Sequence, residues 1–327
     1  MIENIKLANF LAFTGEIEID FCKGANIFIG ENGTGKTSLL KILYEFCKSA
    51  NEFLFSNGLS ETFGPDNILF SFGRDLYSID IQSSKKSFSV KFMTNSITHL
   101  KGGEVDIIPA IFIPTTEMLS HSRGFVSLYE KYKLSFDDSQ IDILKNAQLP
   151  ETRELTPLAE KLLPIVSEVI DGEVAYENDT FYVVKTNGMQ LVFSLEAEGL
   201  RKFGMVWKLL RNGLFDEPGT VLFWDEPEAN LNPILIPKLV DVLLELQRNG
   251  VQMFLATHEY NLARYFDLKR DKKEEVMFHN LYKKDSGNIY CDSSHIYQDL
   301  NKNSIEKADG ELGDFIIEKA LEELDNV

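Results

Sequence analysis

The spacing of hydrophobic residues changes near residue 36, and this change predicts two kinds of element in the first fifty residues. Residues 5–9 form a first strand candidate, and in residues 16–21 three apolar side chains alternate with acidic ones, which is typical of a half-buried antiparallel strand. Residues 25–30 are apolar without alternation, as expected for a strand buried on both faces. From Thr37 to Cys47 the apolar residues recur at helical spacing, so a helix is expected directly after that strand.

The remainder of the chain shows a β-rich stretch, a helical stretch and then alternation of strands and helices. Short strands are expected in residues 67–93, with turns at 73–75 and 83–86, and another strand at 107–113. Helices are expected at 124–132, 138–146 and 155–170, and strands at 174–176, 181–185 and 191–193. The last part predicts helices at 198–211, 233–247 and 311–324 and strands at 221–224, 251–256, 276–282 and 288–291. This alternation predicts a mostly parallel α/β sheet, and the early hairpins predict an antiparallel annex.

Composition and charge limit the class of protein. The chain has 327 residues, of which 44% are hydrophobic and 11% aromatic, enough for a sizeable core in one large domain or two intimate ones. With 33 Lys and Arg against 51 Asp and Glu, the net charge is −18, which disfavours unassisted binding to nucleic acid. No apolar run approaches about 18 residues and the N-terminus lacks the order of a signal peptide, so a cytoplasmic protein without a membrane span is expected. The three cysteines, Cys22, Cys47 and Cys291, are far apart, which excludes a disulfide framework.

Residues 30–37 carry the motif Gly-x-x-x-x-Gly-Lys-Thr between the buried strand and the expected helix. In this context glycines let main-chain N–H groups surround phosphates, and the start of the helix adds a favourable partial positive charge. Lys36 can reach the β- and γ-phosphates of ATP, and the hydroxyl of Thr37 can ligate Mg²⁺. The alternative is a simple glycine-rich turn. The motif predicts a nucleotide site formed by Asn32, Gly33, Thr34, Gly35, Lys36, Thr37 and Ser38.

A pair of carboxylates follows the apolar run at 221–224, where a phosphate-binding loop needs a second metal ligand. Asp225 is placed to hold Mg²⁺ through water, and Glu226 is placed to orient and deprotonate the attacking water; an ordinary strand exit is the alternative. The strand at 251–256 is followed by His258, which could contact the γ-phosphate and sense its loss, unless it is a capping or packed histidine. The candidate catalytic residues are therefore Lys36, Glu226 and His258, and the candidate metal ligands are Thr37 and Asp225.

Several longer stretches resemble a known class of ATPase. Residues 225–233, Asp-Glu-Pro-Glu-Ala-Asn-Leu-Asn-Pro, and Ala-Thr-His at 256–258 are similar to the D-loop and switch-histidine stretch of ABC-type ATPases. The similarity is to the non-transporter branch with RecF, the SMC group and the overcoming-lysogenization-defect ATPases, whose first strands resemble residues 5–21. The chain resembles most a family of small bacterial AAA-family ATP-binding proteins, and nearly the whole chain takes part. Its members share the stretches at residues 113–119, 124–132 and 197–202.

This resemblance implies the fold, the cofactors and the assembly. The expected fold is an α/β P-loop NTPase, an ABC-ATPase-like head of one domain over residues 1–327. It would consist of a nucleotide-binding lobe with the β annex (1–116), a small helical insertion (117–185), and a lobe with the signature, the Walker B carboxylates and the switch histidine (186–327). ATP and Mg²⁺ are the expected cofactors, and at least an ATP-dependent homodimer is the expected assembly.

The signature motif departs from that of the transporter ATPases. Their Leu-Ser-Gly-Gly-Gln is replaced by Ala-Glu-Gly-Leu at 197–200, at the start of an expected helix. Gly199 still allows close approach to the γ-phosphate held by a second copy, and Ser194 is a candidate for the missing serine. A simple helix start is the alternative.

Two further departures concern the surroundings of the nucleotide. No glutamine follows the strand at 107–113 where a Q-loop is expected, so Thr116 or Glu117 is the candidate for the metal-sensing position. Relatives often carry a basic residue near the nucleotide at the position that is Leu11 here, so that contact is not expected.

The sequence leaves two main functional classes. It has neither a coiled coil between its Walker motifs nor a Toprim-like carboxylate cluster after His258, so any output is expected from another chain. In the first class, the protein is an ATP-driven dimerisation switch that controls an effector encoded nearby, such as a nuclease or toxin, in bacterial defence against phage. In the second, it is a RecF-like DNA-repair ATPase that binds DNA directly, through basic residues at 269–273 and 283–284; the net charge favours the first. A scaffold that binds ATP without hydrolysis is disfavoured by Lys36, Asp225 and Glu226.

Overall fold

The secondary structure consists of three sheets with helices packed around them. The computed structural model describes residues 1–64, 76–93, 96–101, 105–132, 136–284 and 287–325. The strands are β1 (Ile2–Phe10), β2 (Phe13–Asp20), β3 (Ala25–Ile29), β4 (Leu76–Ser83), β5 (Ser87–Met93), β6 (Ser96–Lys101), β7 (Ala110–Ile113), β8 (Gly172–Glu177), β9 (Thr180–Lys185), β10 (Gln190–Val192), β11 (Val221–Asp225), β12 (Gln252–Ala256), β13 (Val276–Lys283) and β14 (Ile289–Ser294). The helices are α1 (Lys36–Lys48), α2 (Glu52–Phe63), α3 (Phe125–Tyr132), α4 (Asp138–Gln148), α5 (Pro157–Ile170), α6 (Glu198–Arg211), α7 (Ile236–Arg248), α8 (Tyr260–Lys269) and α9 (Ser304–Asp325).

The central sheet has six strands in the order β14-β13-β3-β12-β11-β7. Its neighbouring strands pair in parallel from β13 to β7, and β14 pairs with β13 in the antiparallel direction. The mostly parallel sheet expected from the sequence is therefore confirmed. Asp225 of β11 lies opposite Ala256 of β12, and Ala256 lies opposite Phe28 of β3, so the carboxyl ends of these strands meet at one edge. In open α/β sheets this edge is where ligands bind.

The central sheet is buried on both faces by two hydrophobic layers. Ile27 and Ile29 of β3 belong to the layer that packs on α5, α6, α7 and α8, whereas Phe28 belongs to the layer between the sheet, α1 and the five-stranded sheet. This two-residue alternation explains why β3 is apolar at every position. In the second layer, Phe254 stacks on Phe28 and on Phe223, with ring centroids 6.4 and 5.2 Å apart. These stacked rings tie three neighbouring strands together beneath the site.

The antiparallel annex is a five-stranded sheet in the order β2-β1-β4-β5-β6. Ile5 lies opposite Ile19 in the β1–β2 pair, which confirms the half-buried antiparallel strand expected at residues 16–21. The expected turn at 83–86 is also confirmed, because the Ser83 N–H donates to the Lys86 carbonyl at 2.8 Å. The turn expected at 73–75 lies outside the described residues. A third sheet, β10-β9-β8, follows α3, α4 and α5, where the helical insertion is expected; the limits 117–185 stay a prediction.

Several elements differ from the sequence-based expectation. The strand expected from residue 107 begins only at Ala110, because Pro109 has no N–H to donate and the Ile107 side chain is exposed. The helix expected from 233 begins as a 3₁₀ turn, Pro233–Leu235, before α7. The last helix begins seven residues earlier than expected, where Asn303 accepts a hydrogen bond from the Glu306 N–H at 3.3 Å as a cap. Helices α2 and α8 and strand β6 were not predicted as separate elements.

Candidate nucleotide-binding site

The phosphate-binding loop joins β3 to α1, as its motif predicts. Gly30 has a φ of 141°, and a Cβ there would lie 2.1 Å from the carbonyl oxygen of Leu281 in β13. Gly35 has a φ of 86°, and a Cβ there would lie 2.7 Å from the Phe13 ring. Both positions therefore require glycine, for conformation as well as for space. Gly35 is the residue before α1, and among the described side chains none caps this helix start, which leaves its N–H groups for an anion.

Lys36 lies buried in the loop, with its ammonium facing main-chain oxygens. Its Nζ donates to the carbonyls of Gly30 at 2.6 Å and Glu31 at 3.0 Å. Burial lowers the pKa of Lys36, while the carboxylates of Glu226 and Asp225 act in the opposite direction. Because the hydrogen-bond partners of the ammonium among the described residues are main-chain carbonyls, it provides positive charge for which phosphate oxygens are a better partner. A triphosphate thus fits the loop.

Two hydroxyl side chains meet at Asp225, at the end of β11. The Thr37 hydroxyl lies 3.0 Å from both carboxylate oxygens of Asp225, and the Thr115 hydroxyl lies 3.0 Å from Oδ2. Burial raises the pKa of Asp225, and both hydroxyl hydrogen bonds oppose that rise. Hydroxyl and carboxylate oxygens beside a phosphate site fit Mg²⁺, which takes few protein ligands and keeps phosphate and water in its shell. Among the described residues, no group of three or more His, Cys, Asp or Glu side chains forms a metal cage.

Thr115 was missed by the sequence analysis, which named Thr116 or Glu117 for the position near the metal. The structure leaves Thr116 exposed. The buried Glu117 carboxylate instead accepts hydrogen bonds from the N–H groups of Leu119 and Ser120, and lies 3.4 Å from Arg201 of α6. Glu117 therefore holds a loop to α6 rather than facing Asp225. Thr115 follows β7, the strand directly beside β11, and only this pairing would have identified it.

Glu226 and His258, two candidate catalytic residues, lie side by side. His258 Nδ1 is 3.1 Å from Oε1 of Glu226. The Glu226 N–H donates to the Ala256 carbonyl at 2.8 Å, so the first residue after β11 stays bound to β12. Glu226 also has a φ of 49°, a left-handed conformation that non-glycine residues adopt at a cost of about 1–3 kcal/mol. The surrounding contacts therefore fix the direction of this carboxylate.

One of these contacts comes from Lys202 of α6, which the sequence analysis did not single out. Its Nζ donates to the carbonyl of Glu226 at 2.7 Å and lies 3.4 Å from that of Pro227. Lys202 is only 2% exposed, and burial lowers its pKa to about 8, against the opposing effect of Glu228 and Glu226. Helix α6 is thus joined to the loop that follows β11 within one chain.

Gly199, the candidate signature residue, packs against its own chain. A Cβ there would lie 2.9 Å from the carbonyl oxygen of Asn230 and 3.2 Å from Cα of Leu231. The Asn230 side-chain amide also donates to Glu198 Oε1 at 2.8 Å. Glycine is therefore required here for the close packing of α6 on the loop after Glu226. Ser194, the other signature candidate, is exposed.

A second buried carboxylate, Glu228, lies next to His258, the candidate switch histidine. The Thr257 hydroxyl donates to Glu228 Oε1 at 2.5 Å, and burial raises the pKa of Glu228. Among the described residues, no donor lies within hydrogen-bond distance of Oε2 of Glu228. Glu228 thus fixes the strand end that carries His258.

Lys283, at the end of β13, lies at the mouth of the phosphate-binding loop. Its Nζ is 3.5 Å from the position that a Cβ on Gly33 would occupy. From the sequence alone, residues 283–284 are expected only to contribute to a DNA contact. Lys283 therefore adds positive charge beside the phosphate-binding loop.

Two family models match the chain. Residues 1–161 match an AAA ATPase domain, and residues 111–264 match an AAA domain whose description names the AbiEii toxin and a type IV TA system. The first match includes the phosphate-binding loop, and the second includes Asp225, Glu226 and His258.

Two curated proteins are similar over parts of their length. A stretch of 109 residues is 29% identical to the arginine transport ATP-binding protein ArtP of Haemophilus influenzae, and covers 31% of this chain and 44% of ArtP. A stretch of 214 residues is 24% identical to the L-cystine import ATP-binding protein TcyN of Bacillus subtilis, and covers 57% of this chain and 78% of TcyN. The chain thus spans less than half of the length of ArtP. Its described residues include no helix with the length and apolar character needed to cross a membrane.

Two solved SMC head structures share the fold. One is an SMC head bound to the C-winged helix domain of ScpA, with a TM-score of 0.60 and 12% identity over 93% of this chain and 99% of that chain. The other is the SMC head domain from Thermotoga maritima, with a TM-score of 0.53 and 13% identity over 90% of this chain and 98% of that chain. The fold, the phosphate-binding loop and the family matches together define the class: the chain has the architecture of the P-loop ATPases of the AAA/ABC type.

Proposed function

We propose that the protein is an ATP-dependent dimerisation switch, in which hydrolysis of Mg²⁺-bound ATP ends the control of a partner effector. The observation that carries this proposal is the meeting of Lys36, Thr37, Asp225, Glu226 and His258 at one edge of the central sheet. A binding-only scaffold would not need a carboxylate held in a strained conformation next to a histidine.

In the proposed reaction, Glu226 acts as the general base. Its carboxylate accepts a proton from water as the water oxygen bonds to the γ-phosphorus, and the bond from that phosphorus to the β–γ bridging oxygen breaks, which yields ADP and phosphate. His258 holds the Glu226 carboxylate at 3.1 Å. Lys36 and Lys283 supply positive charge to the phosphates. Thr37 and Asp225, with Thr115 beside them, would hold Mg²⁺, which neutralises phosphate charge when bound.

Dimerisation is proposed because one chain encloses the phosphates from one side. The preorganised donors that favour hydrolysis act best in a site closed to water. The surface before α6 is available to close a second copy's site, because Ser194, Leu195 and Glu198 are exposed. Gly199 is buried behind them and packs closely on Asn230 and Leu231. Its contribution would be to hold the start of α6, and with it this exposed surface, in position.

Control of a nuclease or toxin in defence against phage is proposed from the sequence resemblance and from the family description that names the AbiEii toxin. Direct DNA binding is less favoured, since the basic run at 269–273 is partly neutralised within the chain. Lys269 pairs with Asp241 at 2.7 Å, and Arg270 pairs with Asp267 at 3.0 Å. Ion pairs of this kind reduce the local positive potential that DNA requires.

The test compares ATP turnover and sedimentation of the purified chain. We expect slow turnover that duplex DNA does not stimulate, and a shift from monomer to dimer when ATP is added to a Glu226→Gln variant. Stimulation of turnover by DNA would favour the RecF-like alternative. An unchanged sedimentation coefficient with ATP would contradict the switch.

A further inference from the structure

The last described helix, α9, carries exposed hydrophobic side chains that the other described residues leave uncovered. Ile305 at its start packs partly against the core, but the residues from Lys307 to Glu322 are exposed, apart from a half-buried Gly313. Five large apolar side chains are between 55% and 60% exposed: Leu312, Phe315, Ile316, Ile317 and Leu321. Single exposed apolar residues are ordinary, whereas five within ten residues of one helix, called the apolar patch below, are typical of an interaction surface.

The same helix carries a strong negative charge. Residues 304–325 contain eight Asp and Glu and two Lys, a difference of −6. Four of the acidic residues recur at spacings of three or four and therefore form one stripe beside the apolar patch: Glu311, Asp314, Glu318 and Glu322. Both lysines are paired within the helix, Lys307 with Glu311 at 3.6 Å and Lys319 with Glu322 at 2.6 Å. The helix thus presents an apolar face with an acidic border.

Two glycines of α9 have no packing role among the described residues. A Cβ at Gly310 or Gly313 would meet no atom within 4 Å among the described residues, so neither glycine is needed for packing inside this chain. Glycine weakens a helix, and an isolated helix gains most of its stability from a buried face. A helix with two glycines and an unburied apolar face is therefore expected to gain order from a partner.

The charge decides which partner fits. A second α9 would bring two acidic stripes together, and anionic lipid or nucleic acid would be repelled in the same way. A helical segment with an apolar face bordered by Lys and Arg would pack its apolar side chains on the patch and pair its cations with the acidic stripe. We propose that α9 is a docking helix for a basic amphipathic helix of a partner protein. This inference does not depend on the proposed ATP cycle, because α9 contains none of the site residues.

The test uses labelled synthetic peptides and the whole chain. The probe is an 18-residue Leu/Lys peptide with helical spacing, and its matched controls are a Leu/Glu peptide with the same spacing and a scrambled Leu/Lys peptide. Fluorescence anisotropy should show at least about tenfold tighter binding of the amphipathic Leu/Lys peptide than of either control. Equal affinity for the scrambled Leu/Lys peptide would overturn the proposal, because it would show that net charge alone accounts for the binding.

Two variants localise the binding. Replacing Leu312, Phe315 and Ile316 together by Ser should lower the affinity for the amphipathic Leu/Lys peptide at least about tenfold and leave ATP turnover unchanged. A control that replaces Leu149, Met189 and Leu268 by Ser removes three exposed apolar side chains elsewhere and should bind like the wild type. Wild-type binding by the α9 variant would overturn the proposal. Loss of a dimer in sedimentation of that variant would show that a second copy occupies the surface instead.

A charge reversal gives an independent readout. Replacing Glu311, Asp314 and Glu318 together by Lys keeps the apolar patch but changes its border from acidic to basic. We expect this variant to prefer the Leu/Glu peptide over the Leu/Lys peptide. An unchanged preference would place the binding away from α9 and contradict the proposal.

Discussion

Lys202 donates a hydrogen bond of 2.7 Å to the main-chain carbonyl of Glu226, from a position where only 2% of the lysine is exposed. The bond joins the first turns of α6 to the residue proposed as the general base. Glu198 reaches the Asn230 side chain and Arg201 reaches Glu117 from the same helix start. Any movement of α6, such as a contact with a second copy, would therefore act on the backbone that directs the Glu226 carboxylate.

We expect Lys202→Met to lower kcat about 10–100-fold, with little change in KM for ATP, because the Glu226 carboxylate would lose its fixed direction while the phosphate contacts remain. Lys202→Arg, which keeps a buried cation and donor, should restore part of kcat. The matched control is Lys208→Met, since Lys208 is also buried in α6 but pairs with Glu151 at 2.7 Å. Both Met variants should lose stability in thermal unfolding, and only Lys202→Met should lose turnover. An equal loss of kcat in both Met variants would show that Lys202 has a structural role only.

Glu226→Gln should separate ATP binding from hydrolysis. The amide keeps the size and hydrogen-bonding capacity of the side chain but cannot accept the proton from water, so kcat should fall about 10²–10⁴-fold. Nucleotide affinity, measured with a fluorescent ATP analogue, should stay close to that of the wild type. Unchanged turnover would move the base elsewhere, and Glu228 would be the next candidate because it is buried beside His258.

The candidate residues for contacts with ATP and Mg²⁺ could be predicted from the sequence, but the residues that hold them in position could not. The phosphate-binding loop and the Asp225–Glu226 pair could be identified because each is a contiguous motif at the end of an apolar strand, although Thr37 and Asp225 are 188 residues apart. Thr115 and Lys202 could not be identified, because their contacts depend on which strand pairs with β11 and on how α6 is rotated against the sheet. The mostly parallel sheet followed from strand–helix alternation. Helix α2 was missed because its hydrophobic periodicity is weak and it contains Gly58.

Thr115→Val should raise the Mg²⁺ concentration needed for half-maximal turnover. The substitution keeps the shape but removes the hydroxyl that lies 3.0 Å from Asp225 Oδ2, which is worth about 1 kcal/mol, or about fivefold in affinity. Thr115→Ser is the matched control, because it keeps the hydroxyl. Thr116→Val, at the exposed neighbouring position, should have no effect. If Thr116→Val, and not Thr115→Val, needs the higher Mg²⁺ concentration, the position near the metal would belong to Thr116, as expected from the sequence.

Stability at acid pH should depend on His279, which is fully buried and stacked on Phe28 with centroids 4.8 Å apart. Burial lowers the pKa of His279 to about 3. Below about pH 6.5 the unfolded chain binds a proton at this residue and the folded chain does not, so the free energy of unfolding falls as pH decreases towards 3. Between pH 6.5 and 4 the wild type should lose about 2–3 kcal/mol more than His279→Gln, measured by urea unfolding. Parallel pH profiles of the two proteins would show that His279 does not contribute.

The dimer is best tested at Ser194, because the structure makes the obvious substitution at Gly199 ambiguous. A bulky residue at Gly199 would meet the Asn230 carbonyl of its own chain, so Gly199→Arg would disturb the catalytic loop whether or not a dimer forms. Ser194 is exposed, and Ser194→Arg should leave the fold and ATP binding intact while it blocks the approach of a second copy. We expect at least about tenfold slower hydrolysis and no ATP-dependent shift in sedimentation. Ser87→Arg, at an exposed position in the annex, is the matched control.

Mixing variants distinguishes a shared site from a site within one chain. Lys36→Ala should bind ATP about 10–100-fold more weakly, because it removes charge-assisted bonds to phosphate. Alone, neither Ser194→Arg nor Lys36→Ala should hydrolyse ATP well. A mixed dimer has one complete site, formed by the phosphate-binding loop of the Ser194→Arg chain and the signature surface (Ser194, Leu195 and Glu198) of the Lys36→Ala chain. The mixture should therefore regain activity that depends on the ratio of the two chains. If the mixture stays as inactive as its components while each still binds its partner, the signature surface does not act in trans, and Glu226 and Lys36 would have to complete the site within one chain.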